Sequence, residues 1–267
     1  MPVAEINGQR IFYTDSGGDG PAVLFAHGFL MDHEMFSPQV EALSGEFRVI
    51  AWDARGFGDT EFDGKPFDYW DNARDCLGLL DHLGLDRAVI GGMSQGGFCS
   101  LRVALLAPDR VRALVLIDTQ AGAEEPDKVE LYGDMIEAWV NVGPGEELAR
   151  IIAGIIIDDP AHDDYWIAKW QARDRELLRE PGGCLLGRDD ITDRLGEITC
   201  PALVVHGTQD GAIDMELAET LAAGLSGCAG VVPIAGAAHA ANLTHPDQAN
   251  PALLTFLRAL PGAAPSR

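Results

Sequence analysis

Short apolar runs alternate with longer stretches of helical period along most of the chain. "AVLFA" (22–26), "RVIAW" (48–52), "RAVIGG" (87–92), "VRALVLID" (111–118), "PALVVHG" (201–207) and "AGVVPI" (229–234) are rich in Val, Ile and Leu and end at polar turns. Runs of this length predict strands buried on both faces. "EINGQRIFYTD" (5–15) predicts a hairpin that turns at Asn7-Gly8. Between these runs, apolar residues recur at spacings of three and four. Such stretches span 70–84, ending at Gly84, and 98–108, stopped by Pro108. Others are 214–225, with Asp214 placed as a cap, and 248–260. Alternation of strand and helix predicts an α/β fold: a mostly parallel sheet with helices on both faces.

One segment breaks the rhythm. Residues 122–190 hold no strand-like run, and predict helices over 126–142, 145–157 and 162–180. Gly143-Pro144-Gly145 and Asp158-Asp159-Pro160 punctuate them, and three of the five tryptophans (139, 166 and 170) lie there. The expected organisation is a core of residues 1–121 and 191–267, with a helical cap (122–190) inserted after the sixth strand. There is no internal repeat and no low-complexity tract.

Composition narrows the function. At 267 residues and 47% apolar content the chain suits one large α/β domain or two small ones. No window approaches a membrane span, and "MPVAEINGQRIFY" does not read as a signal peptide, so a cytoplasmic protein is expected. A net charge of −23 repels phosphate backbones and anionic lipid, which excludes nucleic acid and membrane surfaces as expected partners. The five cysteines are odd in number and form no CxxC pair, so neither a disulfide framework nor a metal site is expected. Cys99 and Cys200 sit in apolar surroundings and read as small core residues.

Candidate chemistry centres on "AVIGGMSQGGFCSL" (88–101). Gly92-Met93-Ser94-Gln95-Gly96 fits G-x-S-x-G, with a strand before it and a helix after it. A sharp strand-to-helix turn strains the serine, and small neighbours two residues either side relieve the clashes. Gly97 lets the helix approach the sheet. The motif alone is weak in a chain with 31 glycines. A phosphate-binding loop is excluded, since no G-x-x-x-x-G-K-[ST] occurs and the chain has three lysines.

A serine hydroxyl needs a base to take its proton, and in elbows of this kind the chain order is Ser, acid, His. His239, in "GAAHAANLTHP", follows the last strand-like run, whereas His245, just before Pro246, suits a structural role. Asp210, in "HGTQDGAID", follows the 201–207 run and precedes His239 by 29 residues. Asp118, ending "LVLID", is the alternative acid, and Asp214 reads as a helix cap. The oxyanion needs backbone donors: Gln95 N–H directly after the serine, and Phe29 N–H in "LFAHGFLMDHEMF". His27 precedes the serine and reads as a loop-shaping residue.

These residues carry a family resemblance. "HGF" (27–29), "DARGFGDT" (53–60), "GMSQGG" (92–97), "HGTQD" (206–210) and "GAAH" (236–239) occur in one order across nearly the whole chain, outside the cap. The chain resembles the α/β-hydrolase family with a helical cap. The resemblance implies an eight-stranded, mostly parallel sheet and an acyl-enzyme mechanism. Epoxide hydrolases and haloalkane dehalogenases of this fold place an aspartate at the elbow, where this chain has Ser94. Ring-cleavage carbon–carbon hydrolases usually carry Asn before the serine and Met after it, where this chain has Met93 and Gln95. Arg55 and Asp59 of "DARGFGDT" read as loop-holding residues.

The expected function is a serine hydrolase that cleaves carboxylic esters of small or medium apolar acyl or alkyl groups, a small-molecule substrate, without cofactor or metal. Ser94, Asp210 and His239 are the expected catalytic residues, and Phe29 and Gln95 the oxyanion donors. Met31, Met35, Phe36, Met93, Trp139 and Trp166 are candidates for the pocket wall. Lactonase, carbon–carbon bond hydrolase, perhydrolase or acyltransferase, and ligand receptor on the same fold are the alternatives; monomer and homo-oligomer both stay open.

Overall fold

Asn7 and Gly8 both take positive φ (49° and 81°), the geometry a tight hairpin turn needs, and they join the first two strands. In this computed structural model, which describes residues 2–262, eight strands form one sheet. They are β1 (Val3–Ile6), β2 (Gln9–Asp15), β3 (Ala22–Ala26), β4 (Arg48–Trp52), β5 (Ala88–Met93), β6 (Val111–Ile117), β7 (Ala202–Gly207) and β8 (Cys228–Ile234). Their order across the sheet is β1-β2-β4-β3-β5-β6-β7-β8. β2 pairs antiparallel with both neighbours, and every other pairing is parallel.

The helices are α1 (Ser37–Leu43), α2 (Tyr69–His82), α3 (Gln95–Leu106), α4 (Pro126–Val142), α5 (Glu146–Ile156), α6 (Pro160–Ala172), α7 (Arg179–Leu186), α8 (Met215–Gly224), α9 (Ala241–Thr244) and α10 (Pro246–Ala259). The long α4–α7 insertion lies between β6 and β7, where an all-helical segment is expected. None of the helices among the described residues is long and apolar enough to cross a membrane.

The central strands β3, β5 and β7 are buried along their whole length, as a parallel sheet covered on both faces requires. β8 departs from that expectation. It is the sheet edge and leaves most of its residues partly or fully exposed, and Pro233 sits in it without breaking an inner ladder. The helix expected over 162–180 is also divided. α6 stops at Ala172, and Asp174 starts a new turn by accepting from the Glu176 amide at 3.0 Å. A local cap thus overrides the apolar spacing that runs through it. Asp214 occupies the residue before α8, but its side chain makes no capping bond.

α6 fastens the insertion to the core. Trp170 Nε1 donates to Leu30 O at 2.8 Å, Lys169 pairs with Asp32 and Glu34, and Arg173 donates to the carbonyls of Gly56 and Gly58. Trp139, Trp166 and Trp170 are all buried at this junction.

Candidate active site

The strand order reverses around β3, with β4 on one side and β5 on the other. Ligands of open parallel sheets bind near such a point, at the carboxyl ends of the strands. The loops there carry Phe29 after β3, Ser94 after β5, Asp210 after β7 and His239 after β8.

Ser94 joins β5 to α3 with φ 51° and ψ −114°, a region that side chains rarely occupy. Its carbonyl accepts from the amides of Gly97 and Phe98 at 2.8 and 3.1 Å and from Thr119 Oγ1 at 2.8 Å. Its amide bonds Ile117 O at 2.9 Å. These bonds hold the strained turn in place. The glycines are required by the close approach. A Cβ on Gly92 would overlap the Gly96 backbone, one on Gly96 the Ala26 carbonyl, and one on Gly97 the Thr119 side chain.

His239 Nδ1 bonds Asp210 Oδ2 at 2.8 Å, and both side chains are buried. With Nδ1 as the donor, Nε2 is the basic nitrogen. Asp210 Oδ1 accepts from the amides of Ala212 and Ile213 at 2.8 and 3.0 Å, which fixes the carboxylate. Burial disfavours charge on both partners. For His239 the Asp210 charge and hydrogen bond outweigh burial, and its pKa stands above the ordinary 6.5. For Asp210 the His239 charge and hydrogen bond likewise prevail over burial and lower its pKa. Among the described residues Ser94 and His239 share no hydrogen bond, although they line one cavity. Such bonds are often long before substrate arrives.

Asp118 makes no hydrogen bond to the imidazole among the described residues. Its carboxylate oxygens accept from the amides of Gly207 at 2.7 Å and Ala241 at 2.9 Å, tying the end of β6 to the end of β7 and the start of α9. Complete burial, then the neighbouring Asp210 charge, push its pKa well above the usual carboxylate range. Between the two acids lies His206, which is not among the residues expected at the site. Its Nε2 contacts Ile213 O at 2.9 Å and Asp210 Oδ2 at 3.4 Å, and its Nδ1 lies 3.7 Å from Asp118 Oδ1. The four-residue step from His206 to Asp210 in "HGTQD" was the available signal.

The amides of Phe29 and Gln95 have no acceptor among the described residues. The loop that presents Phe29 is shaped by His27. Its Nδ1 faces Gly28 O at 2.7 Å and its Nε2 accepts from Ala54 N–H at 3.0 Å. Burial lowers the His27 pKa, so the ring is neutral and structural. Arg55 makes a two-pronged pair with Asp75, and Asp53 gathers the amides of His33 and Asp59. His245 contacts Thr244 Oγ1.

Ser94 and His239 open onto a cavity of about 790 Å³, mouth included, between the sheet and the insertion. Of the expected pocket residues, Met93 and Trp139 line it. Met31 and Trp166 instead line a smaller neighbouring cavity, beside Lys169 and Arg173. Met35 and Phe36 line neither. The turn at His33–Phe36 directs them inward, where Met35 Sδ meets the Gly28 amide and Phe36 stacks on Phe25 at 4.7 Å. Against expectation, Met31, Met35, Phe36 and Trp166 therefore do not line the cavity that holds Ser94. Beside Met93 and Trp139, the wall is built by Tyr132, Met135 and Ile136 on the same face of α4 as Trp139, by Ile152, Ile155 and Ile156 of α5, and by Phe98 and Arg188. The three- and four-residue spacing along α4 made that face legible; nothing local marked Phe98 or Arg188.

Residues 21–246 match the alpha/beta hydrolase fold family. A protein of Rhizobium rhizogenes that carries the name carbamate hydrolase RutD is 30% identical over 250 residues, 90% of this chain and 94% of that one. An esterase from Thermogutta terrifontis superposes with a TM-score of 0.86 at 30% identity, covering 94% of this chain and 93% of its own. The enol-lactonase from Burkholderia xenovorans LB400 superposes with a TM-score of 0.88 at 27% identity, covering 96% and 99%. These names span ester, lactone and carbamate substrates on one architecture.

Proposed function

The chain belongs to the alpha/beta hydrolase fold family, and from that premise we propose that it is a serine hydrolase cleaving carboxylic esters of small or medium apolar groups. Ser94 Oγ attacks the acyl carbon and passes its proton to His239 Nε2. The amides of Phe29 and Gln95 receive the oxyanion. Collapse of the tetrahedral adduct breaks the ester C–O bond, and His239 returns the proton to the leaving oxygen. Water then attacks the acyl-enzyme, giving its proton to His239, which returns it to Ser94 Oγ as the acyl C–Oγ bond breaks and the acid departs. Asp210 orients the imidazole and stabilises its charged form. The α4–α7 insertion acts as a cap whose α4 and α5 faces receive the apolar part of the substrate.

One observation carries this reading. A strained serine and a histidine bonded to a fixed carboxylate line a single, largely apolar cavity. The test is turnover of 4-nitrophenyl esters from acetate to octanoate. The reading expects saturable hydrolysis, with kcat/KM peaking at short to medium chains. Absence of turnover across the series contradicts it.

A further inference from the structure

Arg188 is a charged group on the cavity wall with a donor left over. Its side chain is 1% exposed. Nε donates to Gly122 O at 3.0 Å and Nη1 to Glu124 Oε2 at 2.9 Å. With a longer contact from Nη1 to Leu185 O at 3.4 Å, these bonds anchor Arg188 to the start of the insertion. Nη2 is buried and has no acceptor among the described residues. Five buried side-chain atoms lack a hydrogen-bond partner there, on Trp52, Asn72, Arg188, His206 and Asn242, and Arg188 is the one of these residues that lines the cavity. A buried donor on a cation that stays unpaired is costly, and in native structures such a group calls for a partner.

The position ties this donor to the reaction centre. The guanidinium lies over the Phe98 ring, 4.5 Å from its centroid. Phe98 stands one turn of α3 beyond Ser94, its amide bonded to the Ser94 carbonyl at 3.1 Å. Ser94 and Arg188 line the same cavity, so a substrate held at Ser94 extends along a wall that Arg188 helps to form.

We propose that Arg188 Nη2 recognises the substrate by donating to an uncharged oxygen acceptor, such as a ketone or amide carbonyl, remote from the ester bond. This rests on the ester-hydrolase reading and narrows its substrate class. Charge decides between a neutral and an anionic acceptor. Glu124 is itself buried, at 7% side-chain exposure, and already balances the guanidinium. A carboxylate on the substrate would add a second negative charge beside Glu124 in a low-dielectric site, whereas a carbonyl adds none.

The experiment compares kcat/KM within matched pairs. One pair is 4-nitrophenyl hexanoate and 5-oxohexanoate, with 4-nitrophenyl hydrogen glutarate as the anionic analogue. The other is the acetates of hexan-1-ol and 6-hydroxyhexan-2-one, which move the ketone to the alcohol side. In at least one pair the ketone ester should be preferred by about tenfold or more, the worth of a hydrogen bond to a charged donor. In Arg188→Met combined with Glu124→Gln, which removes both buried charges together, that ratio should fall to near one. A ratio does not depend on the fraction of enzyme that folds. Equal rates within both pairs for the unmodified protein, a preference that survives in the double variant, or a preference for the glutarate would each overturn the proposal. Loss of turnover on every ester, the hexanoate included, would overturn the ester reading itself, and this inference with it.

Discussion

Asp210 Oδ2 lies 2.8 Å from His239 Nδ1, while Asp118, at the end of the neighbouring strand, binds the backbone amides of Gly207 and Ala241. The two acids therefore have separable jobs. Asp210→Asn should lower kcat by about 10⁴-fold with substrate binding little changed, because the amide no longer fixes the basic tautomer. Asp118→Ala leaves two buried amides unpaired, at about 1–3 kcal/mol each. Its loss should appear in the denaturation midpoint, with kcat per folded molecule close to the original. Steady-state kinetics and urea titration of the two variants distinguish these outcomes, and the reverse pattern would make Asp118 the catalytic acid.

The pH profile follows from the same contact. His239 must be neutral to accept the serine proton, and kcat/KM reports the free enzyme. Asp210 holds the His239 pKa above 6.5 against burial, so activity should fall on the acid side with a midpoint above 6.5. Stability runs the other way. A histidine whose folded pKa is raised contributes stability below its unfolded pKa, and loses it as pH rises through the folded one. His239→Gln should therefore cost more stability at pH 5.5 than at pH 9, as measured by unfolding at each pH.

Strain at the elbow has its own signature. At φ 51° and ψ −114°, Ser94 occupies backbone space suited to glycine. Ser94→Gly should abolish turnover and still raise the unfolding free energy by about 1 kcal/mol, within the 1–3 kcal/mol such strain costs. Gly96→Ala should do the opposite, since its Cβ would collide with the Ala26 carbonyl. Poor soluble yield or a markedly lowered Tm is the expected result. Calorimetry of both variants checks the pair; a destabilised Ser94→Gly would mean that the turn is relaxed.

What was legible in the sequence was what local chemistry decides. The Asn7-Gly8 hairpin, the buried runs at 22–26 and 202–207 and the glycines around Ser94 each state a backbone requirement within a few residues. The order of Ser94, Asp210 and His239 added the long-range part, because the topology brings those strand ends together. The pocket wall was less legible. Met35 and Phe36 share their apolar character with true lining residues, and only the turn at His33–Phe36 sends them into the core. His206 and Arg188 take their roles from partners distant in sequence, Asp118 and Phe98 among them. The break between α6 and α7 was decided by Asp174 against a continuous apolar spacing.

The central claim is that Ser94 is the nucleophile. Incubation with a fluorophosphonate, followed by intact-mass measurement, tests it most directly. The unmodified protein should gain the mass of one phosphonyl group in step with loss of esterase activity, and Ser94→Ala should gain none and turn over no ester. Labelling or ester turnover that persists in folded Ser94→Ala would contradict the account.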